Sequence, residues 1–143
     1  MTVSEIITSI SSGIAFLLSV FNFCFYLIHD SVKDSIDAFN TLQNESLDKL
    51  YFYTKSDIQN IAKHPKSEDY KQITLYLSRI EHYCVGINKR IYSKKIVNLL
   101  AGKCLCPLYD KMLPIIEAKR KIPGGENVYC NFEKAVKKLS KNK

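Results

Sequence analysis

Tryptophan is absent, and only 5 glycines and 4 prolines are spread through the 143 residues. A chain so poor in turn-forming residues has little room for hairpins or the short strands of a sandwich, so the expected class is all-α. Every short motif that carries a known chemistry is missing too. There is no glycine-rich phosphate loop, no H-x-x-x-H pair and no paired carboxylates, and no nucleophile stands beside a histidine. His29, His64 and His82 are scattered, and Arg79 lies too close to His82 for the R-x4-6-H pattern of helical ribonucleases. Neither an enzyme nor a cofactor is expected. Five cysteines, Cys24, Cys84, Cys104, Cys106 and Cys130, are an odd number without framework spacing. That pattern does not build a secreted disulfide scaffold and fits a reducing compartment. Cys104 and Cys106, with His82 and Cys84, are the candidates for metal ligation, but thiols two residues apart on a helix point about 200° apart. They read as core thiols.

Charge is also missing from Ile6 to Ile28, 23 consecutive positions, and this absence defines the chain. At 1.5 Å per residue such a helix is about 34 Å long, enough to cross a bilayer core of about 30 Å. A secretory leader would need a basic start and a small-residue cleavage site. Residues 1–5 contain no Lys or Arg, and nothing like A-x-A follows Tyr26. Thr8, Ser9, Ser11, Ser12 and Asn22 dilute the run in the way a soluble core helix would, but length and lack of charge favour a single membrane span. All 21 basic residues follow it, so the expected topology is an outside N-terminus and a cytoplasmic C-terminal domain at a bacterial inner membrane. Asp30, Asp34 and Asp37 make the exit from the membrane acidic, which argues against a polybasic lipid-binding collar there.

Within the span, Thr8, Ser12, Ala15, Ser19 and Asn22 recur at steps of 4, 3, 4 and 3. Small and hydroxylated residues on one face let helices approach closely in lipid, and Asn can bond across the contact, so this seam predicts a homo-oligomer. The chain divides as 1–28, tail and span; 29–66, juxtamembrane helices and linker; and 67–143, a small helical bundle. The spacing of Val32, Ile36, Phe39 and Leu42 carries the span helix on to about residue 40, and a short amphipathic stretch follows at 46–53. Ser56 is expected to cap a helix stopped at His64-Pro65. Ser67 is expected to cap a longer helix with the core stripe Ile73, Leu77, Ile80, Cys84, Ile87 and Ile91. Ser93 is expected to cap the next, with stripe Val97, Leu100, Cys104 and Leu108, and Pro107 and Pro114 predict a kink or break near residues 104–112. After the Ile122-Pro123-Gly124-Gly125 turn a basic last helix presents Lys134, Lys137, Lys138 and Lys141, candidates for polyanion contact. Those lysines, with Lys89-Arg90 and Lys94-Lys95, support an alternative reading as a membrane-tethered nucleic-acid-binding module.

The segment Leu75 to Ser93, followed by Gly102, Leu108-Tyr109, Pro114-Ile115-Ile116, Arg120 and Tyr129-Cys130-Asn131-Phe132-Glu133, resembles a family of short bacterial proteins of unknown function. Ser93-Lys94-Lys95 departs from its pattern, which usually has an acidic residue there. The resemblance implies a helical bundle behind a membrane anchor, with no established activity. It also implies an association with phage-defence or mobile-element genes. On the residues themselves, Glu81 is expected to pair with Arg120 and Gly86 to permit a close helix crossing. The leading expectation is a membrane-anchored protein that binds membrane lipid, a protein partner or its own copies.

Overall fold

The computed structural model describes residues 2–141, which are helical nearly throughout and contain no strand. Helix α1, Val3–Leu42, starts at a capping box in which the Thr2 N–H donates to Glu5 and the Glu5 N–H to the Thr2 hydroxyl. Its first 27 residues, 3–29, are all exposed. Ser35, Phe39 and Leu42 are its first buried residues, at helical steps of 4 and 3. An i→i+5 turn over Gln43–Leu47 follows, leading without a break into α2, Asp48–Tyr51. An unbroken α-helix would carry Leu47 about 120° round from Ser35; the wider turn cuts that advance and brings Leu47 and Leu50 into the same buried face. The amphipathic stretch expected at 46–53 therefore continues the first helix as far as Tyr51.

Thr54, rather than Ser56, caps α3, Lys55–Ala62: the Thr54 N–H donates to Asp57 at 2.8 Å and the Asp57 N–H to the Thr54 hydroxyl at 3.2 Å. Helix α4, Glu68–Asn88, begins at Ser67 as expected and buries Ile73, Leu77, Ile80 and Cys84 completely. It ends in a Schellman turn, with Ile91 N–H on Gly86 C=O and Arg90 N–H on Ile87 C=O. Arg90 takes the left-handed conformation there, φ 59°, so Ile91 leaves the stripe and is 65% exposed.

Helix α5, Lys94–Arg120, runs through both prolines without a break. Each proline frees the carbonyl four residues earlier, and those residues, Lys103 and Asp110, are exposed, so water can satisfy what the ladder loses. The buried face of α5 also lies beside the expected stripe: Val97 and Leu108 are buried, but Ala101 and Leu105 replace the half-buried Leu100 and Cys104. Helix α6, Cys130–Ser140, closes the bundle.

Helices α4 and α5 form the centre; α6 and the inner half of α1 pack on both, and α3 lies against α5. One hydrophobic core runs from Phe39 to Leu139, and residues 38–62 contribute to it along with the helices that follow. Helix α4 runs antiparallel to α1. Arg79 meets Glu45 at 3.5 Å, the Tyr83 ring lies 6.3 Å from that of Phe39, and the Ser93 N–H donates to the buried Ser35 hydroxyl at 2.7 Å. Descent along α4 toward its C-terminus is thus ascent along α1 toward its apolar half. Gly86 serves a ring, not a helix crossing: a Cβ there would come within 2.3 Å of Tyr92, which stacks on Tyr83.

Candidate functional site

Two surfaces stand apart from the core, the apolar half of α1 and the basic end of the bundle. All five seam residues, Thr8, Ser12, Ala15, Ser19 and Asn22, are exposed. At about 100° per residue they fall within an arc of about 80°. Ser35, where the domain first grips the helix, lies about seven and a half turns beyond Thr8 and hence on the opposite side of α1. The domain therefore does not obstruct the seam. Asp30, Asp34 and Asp37 fall about 20–80° from Thr8, on the seam side.

The expected pairing of Glu81 with Arg120 is not formed. The Arg120 guanidinium binds Glu133 at 2.9 Å and the Val128 carbonyl at 3.0 Å. Glu81 instead receives the first turn of α6: its carboxylate accepts from the Asn131 N–H at 3.0 Å, the Asn131 side-chain amide at 2.9 Å and the Phe132 N–H at 2.7 Å. The loop before α6 folds the chain back, so that α6 begins beside Glu81 while Arg120 meets a residue one turn further on. Tyr129 precedes α6 in the left-handed conformation, φ 59°, and gives no side-chain cap. A carboxylate from another helix fills that role, satisfying amides the helix cannot satisfy itself. Asn88 adds a second tie through its amide to the Asn131 carbonyl at 2.9 Å.

Glu133 also accepts from Lys137, and the hydrogen bonds from Lys137 and Arg120 hold its carboxyl below the ordinary 4.5. A depressed folded-state value contributes stability above the unfolded value and loses it as pH falls through the folded one. The urea midpoint of the full chain in mild detergent is therefore expected to fall below about pH 4.5, and Glu133→Gln to flatten that acid limb. An acid limb of equal steepness in the variant would assign it to other carboxylates.

The basic C-terminal residues separate into distinct roles. Lys134 is exposed, Lys137 is held by Glu133, and Lys138 reaches the Asn88 carbonyl at 3.4 Å, with Lys141 one turn beyond it. A further cation, missed in the sequence, is structural: Lys111 donates to the Leu50 and Tyr53 carbonyls at 2.9 and 3.0 Å and lies over the Tyr51 ring. Burial lowers its pKa. It caps the carbonyl end of α2. Among the described residues no three His, Cys, Asp or Glu side chains stand close enough to hold a metal ion. Cys84 is fully buried, and that burial, with the Glu81 carboxylate nearby, pushes its thiol far above the usual range. An open groove of about 450 Å³ between α1 and α4 is bordered by Glu45, Arg79 and His82.

These features define an all-α domain built on the inner half of one long N-terminal helix, whose outer half is apolar, exposed and long enough to cross a membrane. Residues 9–139 match the family model Domain of unknown function (DUF4760), and the chain belongs to that family. The matched region takes in most of the apolar half of α1. No curated protein and no solved structure matches the chain.

Proposed function

We propose that this is a single-pass membrane protein whose helical domain works by interaction and assembly, with the span as both anchor and oligomer seam. The observation that carries the reading is the exposure of α1. Residues 6–28 present large apolar side chains round most of the helix outside the seam, including Phe16, Leu17 and Phe21 at 69, 67 and 67% exposure, and among the described residues no other element covers them. That much contiguous apolar surface is untenable in water, and its length and lack of charge match a bilayer. The family match from residue 9 supports a retained helix rather than a removed leader. The 21 basic residues beyond the span support an outside N-terminus and a cytoplasmic domain at a bacterial inner membrane.

Assembly follows from the seam, which faces away from the domain and is open to a second copy. Packing through small residues, with Asn22 bonding across the pair, is worth about 1 kcal/mol per polar contact in lipid. The double substitution Ser19→Leu and Asn22→Leu is expected to reduce crosslinked oligomer in membranes several-fold, with insertion unchanged. Crosslinking equal to that of the parent chain would remove the seam and leave the span as a tether. The mass of the full chain in mild detergent, set beside a chain lacking residues 1–28, separates those two outcomes.

A further inference from the structure

We infer that the membrane-proximal end of the domain carries a binding site for the headgroup of an anionic phospholipid, in a groove where α1, the α4–α5 turn and the C-terminal end of α6 converge. The groove measures about 720 Å³. Its lining combines four cations, Arg90, Lys94, Lys138 and Lys141, with the apolar Ile87, Tyr92, Val97 and Leu139, and among the described residues no acidic side chain lines it. A surface that is half cationic and half apolar complements a phosphate carried on a glycerol backbone better than a free phosphate or a nucleic-acid strand.

Its depth argues for the same ligand, and this step rests on the membrane reading above. Ser31 borders the groove and lies three residues, about 4–5 Å, past the last apolar position, Ile28. The headgroup layer extends about 5–7 Å from the hydrocarbon on each side. The pairing of Glu45 with Arg79, Phe39 with Tyr83 and Ser35 with Ser93 shows that the α4–α5 turn climbs α1 toward the span. Helix α6 runs the same way as α4, from Asn131 beside Glu81 to Lys138 beside the Asn88 carbonyl, so its last lysines reach the same level. The exposed Ile91, at the tip of the turn, adds an apolar contact toward the bilayer.

The carbonyl ends of α4 and α6 point into this region and favour cations, so part of the positive charge is offset by the protein itself. Four cations exceed that need. Asp30 and Asp37, which with Asp34 make the sequence after the apolar run acidic, lie about 100–120° round α1 from Ser31, on the far side from the groove, and Asp34 lies about 60° from it. Thus the exit from the membrane has an acidic side toward the seam and a basic side under the domain.

The test uses the full chain in mild detergent, with phosphatidylglycerol or phosphatidylcholine added and bound lipid counted by native mass spectrometry. The parent chain is expected to retain phosphatidylglycerol in preference to phosphatidylcholine. The combined variant Arg90→Ala, Lys94→Ala, Lys138→Ala and Lys141→Ala is expected to bind it at least about tenfold more weakly. A control of equal charge, Lys55→Ala, Lys63→Ala, Lys66→Ala and Lys121→Ala, is expected to bind as the parent does. Equal retention by all three, or equal loss in both variants, overturns the site. Displacement of the lipid by inorganic phosphate or by duplex DNA at modest concentration overturns the lipid assignment in favour of that ligand. Because the chain has no tryptophan, Ile91→Trp supplies a second readout independent of the charge variants. Its emission is expected to shift to the blue in phosphatidylglycerol bilayers and to be quenched by brominated lipid; water-like, unquenched emission refutes the placement. Carbonate extraction distinguishes the two levels of failure: release of the chain removes the membrane reading, whereas retention without lipid preference removes only the site.

Discussion

Replacing Glu81 by alanine is expected to lower the stability of the full chain by about 3 kcal/mol, measured as the urea midpoint of the helical signal in mild detergent. The side chain accepts two backbone N–H groups and one amide at the start of α6, and those donors sit in a part-buried junction. Its loss leaves them without an acceptor, and an unsatisfied buried donor costs about 1–3 kcal/mol. Glu81→Gln keeps one carbonyl acceptor and turns an amide toward the other donor, so about half the loss is expected. A change below about 0.5 kcal/mol in Glu81→Ala would mean that α6 is seated by packing alone.

Phe132→Ala is expected to cost about 4 kcal/mol in the same measurement, a large share of the 5–15 kcal/mol typical of a domain. Phe132 is fully buried, and its ring meets Tyr109 of α5 edge-on at 5.1 Å. Because its N–H is also one of the donors on Glu81, the two substitutions attack one helix seat from its apolar and polar sides. Once either has loosened α6, the other has less left to remove. The double variant is therefore expected to lose at least about 1 kcal/mol less than the sum of the single losses. Strict additivity would show that Phe132 and Glu81 act on separate parts of the fold.

Some of this architecture is legible in the residues alone. The stripe from Ile73 to Cys84 repeats at 3.6 because α4 presents one broad face to its neighbours, and Ser67 marks its start by a local rule. Thr54-x-x-Asp57 is also a local cap signature, and its capping box outcompetes Ser56 two residues later. Helix α5 is harder to read, because α1, α3, α4 and α6 all touch it and its apolar residues do not fall into a single narrow stripe. The wide turn at 43–47 leaves no compositional mark. Side-chain partners set by loops are the least legible. Nothing in the spacing of Glu81, Arg120 and Glu133 says which pair forms, since the return path of residues 121–129 decides it. Gly125 fixes that path, for a Cβ there would lie 2.3 Å from the Lys119 carbonyl. The groove between α1, the α4–α5 turn and α6 escapes the sequence for the same reason, as its cations come from positions 90, 94, 138 and 141 while the local sequence just after the apolar run is acidic.

Helix α1 is one rod of 40 residues, about 60 Å long, with no irregular turn until Gln43. Leu42, deep in the domain, lies about 37 Å along the axis from Leu17 in the middle of the apolar half, so tilting the rod by about 10° swings Leu42 by about 6 Å. A span longer than the hydrocarbon it crosses relieves the mismatch by tilting. On the membrane reading proposed above, a rod with no hinge between its apolar half and the core would gear bilayer thickness directly to how firmly the turn at Ile91 meets the membrane surface.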